Sequence, residues 1–122
     1  MALTREAILA KTVILPREEV YIPEWGDSIF VRCLTGWERD QLELEWDRSK
    51  RRNFRARLAV ATVCDAEGND LFELKDIEFL GRQPSSILSR IADVAFMLNK
   101  FTKEDQEELE KNFVATNGDG SS

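Results

Sequence analysis

The 122-residue sequence is 43% apolar and 33% charged, the balance of one soluble globular domain with a modest core. Seventeen basic against 23 acidic side chains leave a net charge of -6, which disfavours general affinity for nucleic acid or anionic membrane. Histidine is absent, so the commonest general base and the commonest metal ligand are both missing, and an enzyme is not expected.

No apolar run approaches the roughly 20 residues that span a bilayer. The N-terminus carries an acidic residue and lacks the pattern of a secretory signal, which points to the cytoplasm. Cys33 and Cys64 are too few and too far apart for a zinc or redox motif and read as small core residues.

Leu3 to Ala10 reads as a short helix with Thr4 as its N-cap. Thr12 to Leu15 is β-branched and apolar, and Pro16 ends it. Val20 to Ile22 predicts the first clear strand, and Glu24-Trp25-Gly26-Asp27 a tight connection. Ile29 to Leu34 predicts the return strand, with Ile29, Val31 and Cys33 on one face and Phe30, Arg32 and Leu34 on the other. The period then changes. Thr35 and Glu38 form a capping box in which each side chain satisfies an orphan N–H of a helix start.

All three tryptophans lie in or beside these elements, at positions 25, 37 and 46. On the helix after Thr35, Trp37 and Leu44 share one line while Leu42 and Trp46 lie near the opposite side, with acidic residues between. Such a helix has two things to bury against: the domain core, and either a second internal element or a partner chain. We expect Trp37 and Leu44 in the core and Leu42 and Trp46 outward.

Six of the ten residues from Arg48 to Arg57 are basic. Only Phe54 is available there for base stacking, so this stretch reads as a helix start paired with the acidic face upstream. Cations at a helix start oppose the macrodipole, which calls for carboxylate partners. Asn53 to Cys64 is apolar nearly all round and predicts a central, buried helix. Asp65 to Asp70 has turn chemistry without the spacing of a calcium loop. Leu71-Phe72 returns to the core as a candidate third strand. Asp76 caps a short helix to Leu80 that Gly81 stops.

Pro84-Ser85-Ser86 opens the longest clean helix, with Ile87, Ile91, Val94 and Leu98 as one stripe and Phe96 and Met97 off it. Thr102 and Asp105 suggest a cap for a last acidic helix, Lys103 to Phe113, before a tail of flexible composition. No phosphate loop, nucleophile elbow or metal-ligand spacing is present in the sequence. The expected fold class is α+β: a small antiparallel hairpin or sheet packed with four to six helices, predominantly helical. Residues 1–113 make one domain and 114–122 a flexible tail.

Four stretches carry a resemblance. They are the Leu-Thr-Arg-Glu start, Val-x-Ile-Pro-Glu-Trp-Gly from Val20, Val-Arg-x-Leu-Thr-Gly-x-Glu-Arg-Asp from Val31, and Phe-Thr-Lys-Glu-Asp-x-Glu-Glu-Leu-Glu-Lys-Asn from Phe101. Together they resemble the tail assembly chaperones of long-tailed bacteriophages. The resemblance implies a small non-enzymatic protein encoded beside the tape-measure gene. Such a protein binds the aggregation-prone tape-measure protein in the host cytoplasm, promotes tail-tube assembly and leaves the finished virion. It also implies, in many members, a longer frameshifted form. The partners expected are a tape-measure protein, a major tail protein and a second copy of the chain. No cofactor or metal is expected.

A chaperone needs exposed apolar contacts flanked by charge. On that ground Leu42 and Trp46 are the expected client-binding residues, followed by Phe96 and Met97. The alternatives are a tail-completion or connector subunit retained in the virion, and a small nucleic-acid-binding regulator built on Arg48 to Arg57.

Overall fold

The computed structural model describes residues 2–11 and 14–100. The expected helix Lys103 to Phe113 and the tail from residue 114 lie outside the described residues.

Thr4 caps a five-residue helix, α1 (Arg5–Leu9), by accepting a hydrogen bond from Ala7 N at 3.1 Å. Strands β1 (Arg17–Ile22) and β2 (Asp27–Arg32) then pair antiparallel, with Val20 opposite Ile29 and Glu18 opposite Val31. The turn between them is one 3-10 segment, Pro23–Trp25, closed by Gly26 at φ +74°, where a side chain would be strained. Its residues also anchor the turn. Glu24 accepts from Ser86 Oγ and Arg90 Nη1, both at 2.9 Å, and Trp25 Nε1 donates to Gln83 at 3.2 Å.

The capping box forms as the sequence indicates. Thr35 Oγ1 accepts from Glu38 N at 3.1 Å, and a Glu38 carboxylate oxygen accepts from Thr35 N at 2.9 Å. It starts α2 (Gly36–Arg48). Helix α3 (Phe54–Thr62) passes without a loop into β3 (Val63–Cys64). The sheet has the order β1-β2-β3, all antiparallel, and the third strand is Val63–Cys64, joined to Asp70 by one bridge. The expected third strand at Leu71 and the continuation of the helix to Cys64 are thereby corrected. Val63 is β-branched and fits a pleat opposite Val31 better than a further helical turn. A short 3-10 turn leads into α4 (Ile77–Gly81), and α5 (Ser85–Leu98) closes the described chain.

The core lies between one sheet face and the helices. Ile22, Val31 and Val63 supply the sheet side; Leu58, Leu80, Ile87 and Ile91 supply the helical side. Helix α3 is central, with six of its nine residues buried, as its all-round apolar character requires. Three aromatic rings tie the helices together. Trp46 of α2 meets Phe54 of α3 edge-on at 5.0 Å between centroids, and Phe54 stacks on Phe96 of α5 at 6.2 Å. Phe96 therefore belongs to the core, while Val94 and Leu98 of the expected stripe are only partly buried.

The Trp46 indole N–H is buried and finds no hydrogen-bond partner among the described residues. Leaving such a donor unmade costs about 1–3 kcal/mol, which offsets part of what the ring contributes. Trp46→Phe should therefore stay within about 1 kcal/mol of the parent in urea unfolding, where truncation to alanine would cost about 3–5 kcal/mol.

Candidate docking groove

The rotation of α2 decides which side chains reach solvent. Arg32 ends β2 with its side chain almost wholly buried. Its guanidinium holds Glu38 in a two-bond fork, Nη1 to Oε1 at 2.8 Å and Nη2 to Oε2 at 2.7 Å. It also donates to Asp70 at 3.0 Å and to the Cys33 carbonyl at 3.2 Å. The fork keeps the Glu38 carboxyl down at about 2, well below the usual carboxylate range, and pushes the Arg32 guanidinium further up.

Because Glu38 is pinned inward, the residues four and eight positions on must follow it. Leu42 is 7% and Trp46 4% exposed, and both lie in the core. The expectation of outward Leu42 and Trp46 is corrected, and so is the inward placing of Trp37 and Leu44. Trp37 is 75% exposed, with Leu44 exposed as well. Of the four expected client-binding residues, Leu42, Trp46 and Phe96 are buried in this domain, and of these Leu42 alone reaches the floor of the groove beside Trp37. Only Met97 is exposed. The two-faced pattern of α2 could not say which face turns in; the Arg32 fork does.

What this rotation leaves outside is a groove of about 350 Å³. Helix α2 contributes Trp37, Gln41 and Glu45, with Leu42 as floor; α3 contributes Arg57, Val60 and Ala61; the segment after the sheet contributes Asp70, Phe72, Glu73 and Leu74. Leu74 and the adjoining Leu71 are exposed, and Phe72 is half-buried. Large apolar side chains therefore gather around a concave surface with charged groups among them. Sequence reading missed Trp37 and Leu74 here. The signal that turns Trp37 outward is the arginine three residues before the Thr35 cap, facing the cap's own glutamate; Leu74 has no such local signal.

The remaining chemistry is quiet. Asp65 Oδ1 accepts from the N–H groups of Glu67 and Asn69, both at 2.9 Å, and these loop bonds hold its carboxyl below the usual range. The carboxylate is thus consumed by its own turn, and among the described residues no group of three or more potential metal ligands gathers. Burial pushes the Cys64 thiol up, away from nucleophilic reactivity. The basic stretch finds acidic partners, Arg48 with Glu45 at 3.3 Å, Arg51 with Asp47 at 3.8 Å and Arg57 with Glu45 at 3.9 Å. Phe54, its only aromatic residue, is in the core and offers no stacking platform. Among the described residues no helix is long and apolar enough to cross a membrane.

The class is thus a small α+β domain, a three-stranded antiparallel sheet packed with helices, carrying a charged-rimmed apolar groove. No family model and no curated protein sequence matches the chain. Among solved structures, the fold is similar to that of the bacteriophage HK97 tail assembly chaperone. The TM-score is 0.61 at 19% identity, over 81% of this chain and 95% of that one. At this identity the likeness establishes a tail-assembly-chaperone-like fold.

Proposed function

We propose that this chain is a non-enzymatic phage tail assembly chaperone. It binds the tape-measure protein in the host cytoplasm, keeps it soluble and promotes tail-tube assembly. The observation that carries the reading is the extent of the fold likeness, nearly the whole of the HK97 chaperone chain. The groove supports it independently. An aromatic ring held 75% in water, beside exposed Leu74, is a cost that a docking surface explains. Charged side chains on the rim let such a surface stay soluble before its client arrives.

Co-expression with the tape-measure protein encoded beside it should raise that client's soluble fraction. Trp37→Glu combined with Leu74→Glu should abolish the effect. Both side chains are exposed, so each change should shift folding stability by no more than about 0.5 kcal/mol, which urea unfolding checks. A client equally soluble with the double variant removes the groove from the reading. A client indifferent to the parent chain removes the reading itself.

A further inference from the structure

The acidic face upstream does not neutralise the whole basic stretch. Glu45 and Asp47 take Arg48, Arg51 and Arg57, at 3.3, 3.8 and 3.9 Å. Lys50 and Arg52 are exposed and make no ion pair among the described residues. The chain reaches them by a strained path. Lys50, Arg51 and Asn53 have φ of 58, 62 and 55°, in the left-handed region that side chains disfavour. At this bend Arg48, Lys50, Arg52 and Arg57 gather around one hollow of about 410 Å³, with Ser49 and Asn53 between them. Among the described residues no carboxylate belongs to that lining. Four like charges on one concave surface repel one another and call for an anion.

An anion of matching charge lies further along the same chain. Lys103 to Phe113 carries Glu104, Asp105, Glu107, Glu108 and Glu110 against Lys103 and Lys111, a balance of three negative charges. On a helix, Glu104, Glu107 and Glu108 share one face, at spacings of three and four. The segment is also within reach. The Phe96 ring stacks on Phe54, the neighbour of Asn53, and Phe96 lies four residues before Lys100, the last described residue. Four helical residues advance about 6 Å. Phe101 and Thr102 span about 7 Å more when extended. So short a tether holds the segment at an effective concentration of about millimolar, which favours contact within one chain over contact between chains.

We propose that the acidic segment Lys103 to Phe113 folds back on its own chain and docks in the basic hollow at the α2–α3 bend. Glu104, Glu107 and Glu108 meet Lys50 and Arg52 there, the two cations that α2 leaves unpaired. The docked segment shields the hollow from nucleic acid, which its four cations would otherwise attract. The contact does not depend on the client of the preceding section.

A carbodiimide, which joins an amine directly to a carboxylate it touches, tests this on the full chain. Mass spectrometry should find Lys50 joined to the peptide that carries Glu104, Glu107 and Glu108. The yield should fall at about 1 M salt, where the screening length shrinks to about 3 Å. In an equal mixture of isotopically light and heavy chains, these links should join like to like. A Lys50 joined only to carboxylates before Lys100 overturns the proposal, and so do links that join light to heavy as often as like to like. The triple variant Glu104→Gln, Glu107→Gln, Glu108→Gln gives a second reading. It should bind a single-stranded oligonucleotide at least about tenfold more tightly than the parent at low salt. Adding Lys50→Gln and Arg52→Gln to the same chain should abolish the gain. Equal binding by parent and triple variant, tight or absent, overturns the proposal as well.

Discussion

Phe54→Ala should destabilise the domain by about 4 kcal/mol, a loss of the same size as truncating Trp46. The ring is buried at the first residue of α3, and it is the middle member of the Trp46–Phe54–Phe96 chain of contacts. Removing it opens a cavity and deletes two aromatic contacts, each worth about 0.5–1.5 kcal/mol beyond burial. Trp46 and Phe96 cannot collapse onto each other, because they project from different helices held by other packing. Phe54→Leu fills most of the space and should cost nearer 1–2 kcal/mol, about the loss of the ring contacts. Urea midpoints at constant slope would show the graded series. A Phe54→Ala protein with the parent midpoint would mean that the three rings do not hold α2, α3 and α5 together.

The second large effect belongs to Glu38. Replacing it with alanine removes the Arg32 fork and the reciprocal half of the capping box together. The Arg32 guanidinium stays buried with Asp70 and one carbonyl, a partial compensation. A loss of about 2–3 kcal/mol follows, below the 3–5 of a buried pair broken outright. Glu38→Gln keeps an oxygen for the Thr35 N–H and should lose less.

The pH dependence has a definite sign. The folded carboxyl is held at about 2 against an ordinary value of 4.5, so its stabilising contribution is complete above 4.5. It is lost as pH falls through about 2. Parent and Glu38→Gln should therefore differ most near neutrality and converge as pH approaches about 2. A gap that stays constant with pH would show that the carboxylate charge is not what the arginine holds.

The parts of this fold that were legible in the sequence are those fixed by neighbours along the chain. The hairpin through Gly26, the Thr35–Glu38 box and the apolar character of α3 each depend on residues within a few positions, and each is present. The parts that were not legible depend on contacts across the fold. A helix apolar on two sides gives no preference for Trp37 or Trp46 inside. That choice is made by Arg32, which lies on another element, and by Asp70, 38 residues further on, which shares its guanidinium. The third strand is only two residues long, and its identity comes from the partner strand opposite, not from a run of its own. Phe96 lies off the Ile87–Ile91–Val94–Leu98 stripe, which is narrower than the buried face of α5. The helix is in fact covered on a broad face by α3, whose Phe54 ring reaches it. Once these long-range contacts are known, the groove at Trp37 and Leu74 follows by subtraction.

One property of the sheet bears on how such a protein can be stored at high concentration. Strand β1 lies at the edge of the order β1-β2-β3, where unpaired backbone groups can template the addition of a foreign strand. Its first three residues, Arg17, Glu18 and Glu19, are all charged and exposed. The opposite edge is two residues long. A molecule that displays a tryptophan to solvent cannot also display an adhesive strand without risking fibres. The charged edge confines its stickiness to exposed side chains and leaves the backbone of the sheet unavailable to a foreign strand.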